Sequence, residues 1–438
     1  MSAHPDRSFH AARRARFLAA LGTEAALIVA PAHHHRNADT EYRYRQSSDL
    51  VYLTGWDDPE AVALFRPGAE QPFVMFVQPR DPEREVWTGR REGVEGALAR
   101  YGADAAYPIS ELPSRLGTLL FGYATLHYRP GEDAALDRSL FAAIRSMAKP
   151  AARNGGDIPW RFHDPGRLVG ELRVRKEPEE LDLLREAARI SCEAHRQAMM
   201  AGRPGVHEYE VESVVDGWFR RHGGNGPGYT TIVGGGDNAN ILHYVTNRDP
   251  LREGDLCLVD AGCEYRYYTA DITRTWPVSG RFSGPQRELY EVVLEAQLQA
   301  IEAARVGRNY KDMHDVAVRR LTEGMVHLKL LTGGVEENIH QESFKRYYMH
   351  GTGHWLGLDV HDAGVYWHGF TSRKLEAGMV LTVEPGIYVP ADDERAPAAF
   401  RGTGIRIEDD IHVTEAGPEN LTAACPKTVA EVEAACAR

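Results

Sequence analysis

Leu251–Gly262 reads LREGDLCLVDAG and Leu375–Gly386 reads LEAGMVLTVEPG, and these two stretches decide how the second half of the chain folds. They align at an offset of 124 residues, which brings Asp260 onto Glu384. In each copy, a run of apolar residues ends at the carboxylate, and a glycine follows two residues later. This pattern predicts two related buried strands, each with an acidic side chain at its inner end.

The similarity between the two copies continues on both sides. A second predicted strand with a carboxylate follows each copy, carrying Asp271 in the first and Glu408 in the second. A histidine after an apolar residue precedes each copy, at His243 and His361. We therefore predict a pseudo-twofold internal repeat that places four carboxylates around one centre.

The strand-end carboxylates have a structural interpretation as well as a functional one. A buried carboxylate costs free energy unless a partner compensates its charge. A single one is usually a structural hydrogen-bonding group. Arg406 and Glu408, taken alone, indicate a solvent-exposed strand with a salt bridge. Two such acidic positions in matching repeats favour a shared chemical role.

A histidine-rich segment lies between the two copies, at Met349–Asp362 (MHGTGHWLGLDVHD), and contributes His350, His354 and His361. Three histidines together with four strand-end carboxylates predict a metal site. A set of one histidine and four carboxylates is rich in oxygen, which favours manganese or cobalt over structural zinc. Shared carboxylates in such a set can hold two metal ions side by side.

The chain of 438 residues is too long for one ordinary domain, so we expect two. The first, residues 1–170, is predicted to be an α/β domain, because short apolar runs alternate with helical patterns; the runs are Ala26–Val29, Leu50–Leu53, Val62–Phe65 and Phe73–Val77. Lys149–Pro165 is rich in proline, glycine and asparagine and is interpreted as a linker. The second domain covers residues 171–438 and starts with a helix near Pro178. The fold class is therefore α/β (α+β).

Composition excludes several classes of protein. The formal net charge of −12 argues against nucleic acid or an anionic membrane as the main partner. No apolar run is long enough for a transmembrane helix, and His10–Gly22 is better explained as an amphipathic first helix than as a signal peptide. The five cysteines are odd in number and lack zinc-site spacing, which indicates a reducing compartment. We expect a cytoplasmic protein.

The ordered acidic and histidine positions resemble the metal ligands of the pita-bread metallopeptidases, which include methionine aminopeptidase, prolidase and aminopeptidase P. Several stretches are similar to bacterial aminopeptidase P, and they span nearly the whole chain: Asp39–Gly55 (DTEYRYRQSSDLVYLTG), Arg84–Arg91 (REVWTGRR), Asn240–Tyr244 (NILHY), Leu258–Thr275 (LVDAGCEYRYYTADITRT), Met349–Asp362 and Val383–Tyr388 (VEPGIY). The resemblance implies an N-terminal α/β domain and a C-terminal pita-bread domain.

The resemblance also implies a role for each site residue. Two divalent metal ions, expected to be Mn²⁺, would be held by Asp260, Asp271, His354, Glu384 and Glu408. Among these, Asp271 and Glu408 would bridge both ions, and Glu384 would also transfer protons. The substrate's proline and scissile carbonyl would be surrounded by His243, His350, His361 and Arg406.

The implied activity is release of the N-terminal residue from peptides with proline in the second position, by attack of a hydroxide held between the metals. A prolidase restricted to Xaa-Pro dipeptides shares every ligand and remains an alternative. A non-catalytic pita-bread binding protein is a further alternative, but such relatives are expected to lose ligands, and this chain keeps all five. The expected partners are Xaa-Pro peptides and further copies of the chain in a homodimer or homotetramer.

Overall fold

The computed structural model describes residues 7–437, which form two compact units that meet in sequence between Leu172 and Arg173. The helices of the first part of the chain are α1 (Arg7–Leu21), α2 (Ser48–Thr54), α3 (Pro82–Thr88), α4 (Gly93–Ala99), α5 (Leu112–Leu120), α6 (Ala134–Asn154) and α7 (Gly166–Val174). Its strands are β1 (Ala25–Val29), β2 (His35–Asn37), β3 (Thr40–Glu41), β4 (Val62–Phe65), β5 (Phe73–Val77), β6 (Ala105–Pro108), β7 (Thr125–His127) and β8 (Arg161–His163).

The first unit is built on a six-stranded mixed sheet in the order β6-β5-β4-β1-β7-β8. Strand β4 runs antiparallel to both β1 and β5, whereas β1, β7 and β8 run parallel to one another. Parallel strands need crossover connections, and helices supply them here. The apolar side of the sheet packs on α5 and α6, for example through Leu116 and Leu140, which are completely buried. The α/β character predicted for this region is present.

Two local predictions in the first unit are wrong. Leu50–Leu53 lies in α2, not in a strand; all seven residues of that helix are buried, so no polar face reveals its helical period. Lys149–Pro165 is not a linker, because its first part completes α6 and its last part forms the edge strand β8. Pro150 lies inside α6, near its end, where the helix tolerates it.

The second unit contains α8 (Pro178–Ala201), α9 (Glu208–Arg221), α10 (Gly284–Ala303), α11 (Tyr310–His327), α12 (Val335–His340) and α13 (Val429–Cys436). Its strands are β9 (Gly226–Pro227), β10 (Ile232–Gly235), β11 (Leu256–Asp260), β12 (Cys263–Tyr265), β13 (Tyr268–Thr269), β14 (Thr273–Pro277), β15 (Trp367–His368), β16 (Thr371–Ser372), β17 (Val380–Val383), β18 (Gly386–Val389), β19 (Thr403–Arg406), β20 (Asp409–Thr414) and β21 (Gly417–Asn420). The helix predicted near Pro178 begins at that residue.

The internal repeat is visible in the order and pairing of these elements. A helix pair precedes a strand pair in each half: α8 and α9 come before β11, which pairs antiparallel with β14, and α10 and α11 come before β17, which pairs antiparallel with β20. The equivalent residues Gly254 and Gly378 have φ angles of 90° and 91°. Glycine adopts this left-handed conformation without steric cost, so the same turn leads into each strand.

Backbone hydrogen bonds repeat as well. The N–H of Gly205 donates to the carbonyl of Leu251 at 2.8 Å, and that of Gly307 donates to the carbonyl of Leu375 at 2.9 Å. Each bond ties the turn between two helices to the segment before a strand. The weak sequence similarity between the halves therefore reflects a similar local fold, in which equivalent strands end near one another at a common centre.

Candidate metal centre

The acidic side chains of the centre lie where strands end or break. Asp260 is the last residue of β11, and Glu384 directly follows β17. Asp271 and Glu408 were predicted to lie inside single strands, but they occupy breaks, between β13 and β14 and between β19 and β20. At a break the backbone leaves the ladder, which allows a side chain to turn out of the pleat toward a ligand.

A cavity of about 720 Å³ brings together every site residue that the sequence predicted. Its walls include the acidic and histidine positions together with one arginine: Asp260, Asp271, Glu384, Glu408, His243, His350, His354, His361 and Arg406. Residues from both halves of the repeat thus share one space.

Three residues form the tightest group in this cavity. Asp271, His354 and Glu408 each offer a ligand atom, and these atoms lie within 4.8 Å of one another. His354 Nε2 lies 3.3 Å from Asp271 Oδ2. Its Nδ1 lies 3.0 Å from the carbonyl of Trp355, which fixes the orientation of the ring. This is the arrangement of a nitrogen and oxygen ligand set ready for a divalent cation.

The other two carboxylates flank this group and differ in how firmly they are held. Asp260 Oδ2 accepts a hydrogen bond from Arg406 Nη2 at 2.6 Å, and its Oδ1 accepts one from Tyr229 at 2.6 Å. Glu384 Oε1 lies 3.7 Å from His354 Nε2, beyond hydrogen-bond distance. Glu384 therefore faces the cavity with only weak contacts.

The electrostatics fit a bound cation. Burial and the negative charge of Asp260 raise the pKa of Asp271. Burial, then Asp271 and Glu384, raise the pKa of Glu408. Burial raises the pKa of Glu384 to about 7, against the lowering effect of His354 and Arg406. The protein's own cations therefore leave this buried negative charge incompletely compensated, which is what a site for divalent metal requires.

The predicted substrate-side residues surround the acidic group. His361 is exposed, and its ring centroid lies 4.2 Å from that of His354. His350 Nε2 lies 2.8 Å from the hydroxyl of Tyr388, and burial lowers the pKa of His350 to about 3. His243 lines the cavity from the loop after β10.

Arg406 and Glu408 do not lie on a solvent-exposed, salt-bridged strand, which is what their sequence pattern alone indicated. Both are buried, with 3% and 2% of their surface exposed. Arg406 also donates from Nε to Thr273 at 2.9 Å and from Nη1 to Tyr388 at 3.1 Å. Strand alternation suggested an outward face, but the partner strands and the acidic centre cover it.

Sequence reasoning missed three residues of the site. Tyr229 donates to Asp260 and makes a short hydrogen bond to Asp271. Thr273 donates from Oγ1 to Glu408 at 2.6 Å. Tyr388 contacts Arg406, and its place in the VEPGIY motif was an available signal. Tyr229 sits in a loop without any pattern that marks it.

Comparison with known proteins defines the class of this protein. Residues 182–415 match the model of metallopeptidase family M24, and residues 10–127 match the model of the aminopeptidase P N-terminal domain. The chain belongs to metallopeptidase family M24. Within that family it resembles the aminopeptidases P, in agreement with the resemblance seen in its sequence.

Individual relatives share this similarity along most of their length. The Xaa-Pro aminopeptidase of Escherichia coli is 45% identical over 412 residues, which cover 94% of this chain and 93% of the relative. Human Xaa-Pro aminopeptidase 3 is 34% identical, with 95% and 82% covered. The alignment therefore includes both domains.

Solved structures agree with the fold. The aminopeptidase PepP of Pseudomonas aeruginosa superposes with a TM-score of 0.95 at 43% identity, covering 99% of this chain and 98% of that one. Escherichia coli aminopeptidase P in complex with substrate superposes with a TM-score of 0.94 at 42% identity and the same coverage. The fold is that of an N-terminal aminopeptidase P domain followed by a pita-bread domain.

Proposed function

We propose that this chain is a metal-dependent aminopeptidase that releases the N-terminal residue from peptides with proline in the second position. The observation that carries this proposal is the convergence of Asp260, Asp271, His354, Glu384 and Glu408 on one cavity. The relatives named Xaa-Pro aminopeptidase support the substrate class. The intact ligand set speaks against a non-catalytic binding protein.

Two divalent metal ions, for which we propose Mn²⁺, fit this centre. Asp271 and Glu408 would contact both ions, Asp260 one of them, and His354 with Glu384 the other. Bound there, such ions lower the pKa of water and polarise the scissile carbonyl. The remaining chemistry belongs to the protein's own side chains.

We assign proton transfer to Glu384. Apart from the proposed contact with one metal ion, its carboxylate makes no tight hydrogen bond, so one of its oxygens can accept and return a proton. Asp260 is unsuited to this task, because Arg406 and Tyr229 both hold it. The scissile bond precedes proline and has no N–H, so its nitrogen must gain a proton as it leaves.

We assign substrate binding to His243, His350, His361 and Arg406. His243 and His361 line the cavity and can donate hydrogen bonds to the substrate carbonyl, where negative charge develops. Both ring nitrogens of His350 are already engaged, by the carbonyl of Gly351 and the hydroxyl of Tyr388, so His350 shapes the wall against which the substrate binds. The guanidinium of Arg406 is engaged by Asp260, Thr273 and Tyr388. Its contribution is therefore to keep this wall of the cavity rigid and to hold Asp260 in place.

Peptide hydrolysis tests the specificity. Metal-loaded protein is given an Xaa-Pro-Yaa tripeptide, the matched Xaa-Ala-Yaa peptide and the Xaa-Pro dipeptide, and kcat/KM is compared. We expect the proline tripeptide to exceed the alanine peptide by about 10–200-fold, the range for a small apolar group in a shaped pocket. The tripeptide should be cleaved at least as well as the dipeptide. Cleavage of the dipeptide alone would identify a prolidase instead.

A separate variant tests the assignment of His361. We expect His361→Ala to lower turnover while metal content, measured by elemental analysis, stays near that of the parent. His368→Ala, which changes an exposed histidine of β15, serves as the control and should leave both quantities unchanged. Loss of metal together with the His361 side chain would show that His361 is a ligand.

We further propose a cytoplasmic protein that acts as a homodimer or homotetramer. Among the described residues, no helix is long and apolar enough to cross a membrane. Large apolar side chains are exposed on α3, where Trp87 is 88% exposed, and Phe370 next to β16 is fully exposed. Such surface favours association between copies. Light scattering of the purified protein tests the assembly, and a monomer at micromolar concentration would contradict it.

A further inference from the structure

We propose that the first unit carries its own zinc site, formed by Glu24, His127 and His163. These residues belong to the N-terminal domain, and no part of the proposed peptidase chemistry uses them. Outside the peptidase cavity, they are the one group of three possible metal ligands among the residues that the structure describes.

The sheet register brings the three side chains to one face. Strand β7 lies between β1 and β8, with Ala26 paired to His127 and His127 paired to His163 in parallel register. Residues paired in this way project to the same side of a sheet. Glu24 comes two residues before Ala26, so it lies on that side as well.

The distances suit a metal-binding group. Glu24 Oε2 lies 2.6 Å from His127 Nε2 and 3.7 Å from His163 Nδ1. Ligand atoms from all three residues lie within 4.8 Å of one another. Two ligand atoms bound to one zinc ion at about 2.0–2.1 Å lie roughly 3 Å apart, so small side-chain movements suffice to close the site.

Burial gives the site a closed side and an open side. His127 is buried with 4% of its surface exposed, and the ring nitrogen that faces Glu24 is Nε2. The side chain of His163 is 54% exposed. Water can therefore complete the coordination of an ion from the side of His163, while His127 and Glu24 anchor it to the sheet.

A simple ion pair does not account for the whole cluster. His412 and Glu419 also form a close pair, at 2.7 Å, and no third metal ligand joins them in the part of the chain that is described. At His127 the third ligand is present on the neighbouring strand. Two imidazoles and one carboxylate form a set that zinc binds well. A zinc ion there would link the edge strand β8 to the start of β1 and stabilise the first unit.

Zinc binding to the full-length, untagged protein tests this proposal. The parent for the test carries Asp271→Ala, His354→Ala and Glu408→Ala, which remove all three residues of the tightest ligand group in the peptidase cavity. Bound zinc per chain is measured by elemental analysis after equilibration with buffered micromolar zinc. Three further variants are compared in this background: His163→Ala, Glu24→Gln, and the control His207→Ala, which removes a histidine that lies beside Glu210 and Tyr209 at the start of α9.

We expect one zinc per chain in the parent and in His207→Ala, and at least about tenfold weaker binding in His163→Ala and Glu24→Gln. Zinc should also raise the thermal midpoint of the parent but not that of His163→Ala. Because His163 is exposed, its replacement should leave the zinc-free midpoint unchanged, which shows that the variant folds. Absence of zinc from the parent, or equal binding by parent and His163→Ala, would overturn the proposal.

Discussion

Asp260 and Glu384 occupy equivalent positions in the two halves of the repeat, yet their surroundings differ. Asp260 ends its strand in contact with Arg406 and Tyr229, each at 2.6 Å. Glu384 follows its strand with Thr382 at 3.5 Å and His354 at 3.7 Å as its nearest polar side chains. The same fold thus holds one carboxylate firmly and leaves the other able to change its protonation state.

This difference shows how a duplicated structure can divide two tasks. In the proposed reaction, Asp260 of one half would supply a fixed negative charge that positions a cation. Glu384 of the other half would supply the carboxylate that transfers protons. Changes at the shared centre and in each half separately test this division.

Metal removal should abolish activity, because the ligands come from both halves and neither half holds a complete set. Exhaustive chelation is expected to reduce hydrolysis of an Xaa-Pro-Yaa peptide to the background rate, and Mn²⁺ should restore it. The rate is measured before and after dialysis, with metal content determined on the same samples. Full turnover by metal-free protein would show that the two halves do not act through a shared metal centre.

Glu384→Gln tests the mobile carboxylate. The variant keeps the shape of the side chain but cannot accept a proton, so kcat at saturating Mn²⁺ should fall by about 10²–10⁴-fold. The comparison variant is Asp260→Asn, for which we expect weaker metal binding as the main defect, seen in the Mn²⁺ concentration needed for activity. If Glu384→Gln kept the parental kcat, proton transfer would have to be assigned elsewhere.

The matching positions of Asp260 and Glu384 were predictable from the sequence, for a physical reason. Buried strand-end carboxylates are rare, so Asp260 and Glu384 stood out in matching positions. The fold class, the repeat and the family were identified correctly. The tight contact of Asp260 with Tyr229 was not predictable, because it joins a patternless loop to a strand end through tertiary structure alone.

The two wrong predictions in the first unit also concern features that tertiary structure decides. Periodicity reveals an element only when one of its faces meets water, and α2 is buried on every side. The composition of Lys149–Pro165 is that of a linker, but pairing of β8 with β7 places part of it in the sheet.

Arg274→Leu tests a connection between the halves. Arg274 of β14 donates to the carboxylate of Asp409 in β20 at 2.6 Å, and both side chains are completely buried. Burial would raise the pKa of Asp409, but Arg274 and Lys427 lower it further than burial raises it. Removing Arg274 leaves a buried charge with Lys427 as its remaining cation. We expect a loss of about 3–5 kcal/mol in the free energy of unfolding.

Chemical denaturation measures this loss. Arg287→Leu breaks an exposed ion pair with Glu291 and serves as the control, for which we expect no measurable change. Equal stability of Arg274→Leu and the parent would mean that the two halves do not depend on this ion pair.

Tyr229→Phe gives the smallest expected effect and examines how Asp260 is held. The hydroxyl of Tyr229 contacts the carboxylates of both Asp260 and Asp271 and has one proton to donate to them. A hydrogen bond to a charged group contributes about 1.5–3 kcal/mol, so the variant should lose that much stability in metal-free buffer. When metal is bound, the cation compensates the same carboxylates, and the loss should shrink. Linkage then requires the variant to bind Mn²⁺ more tightly than the parent, by the factor that corresponds to the difference in stability loss.

Denaturation with and without Mn²⁺ measures the stability loss in the metal-free and the metal-bound state, with Tyr209→Phe as an exposed control. An equal loss in both states would mean that the hydroxyl keeps its hydrogen bonds beside the bound metal, and Asp260 would then be held by the protein throughout.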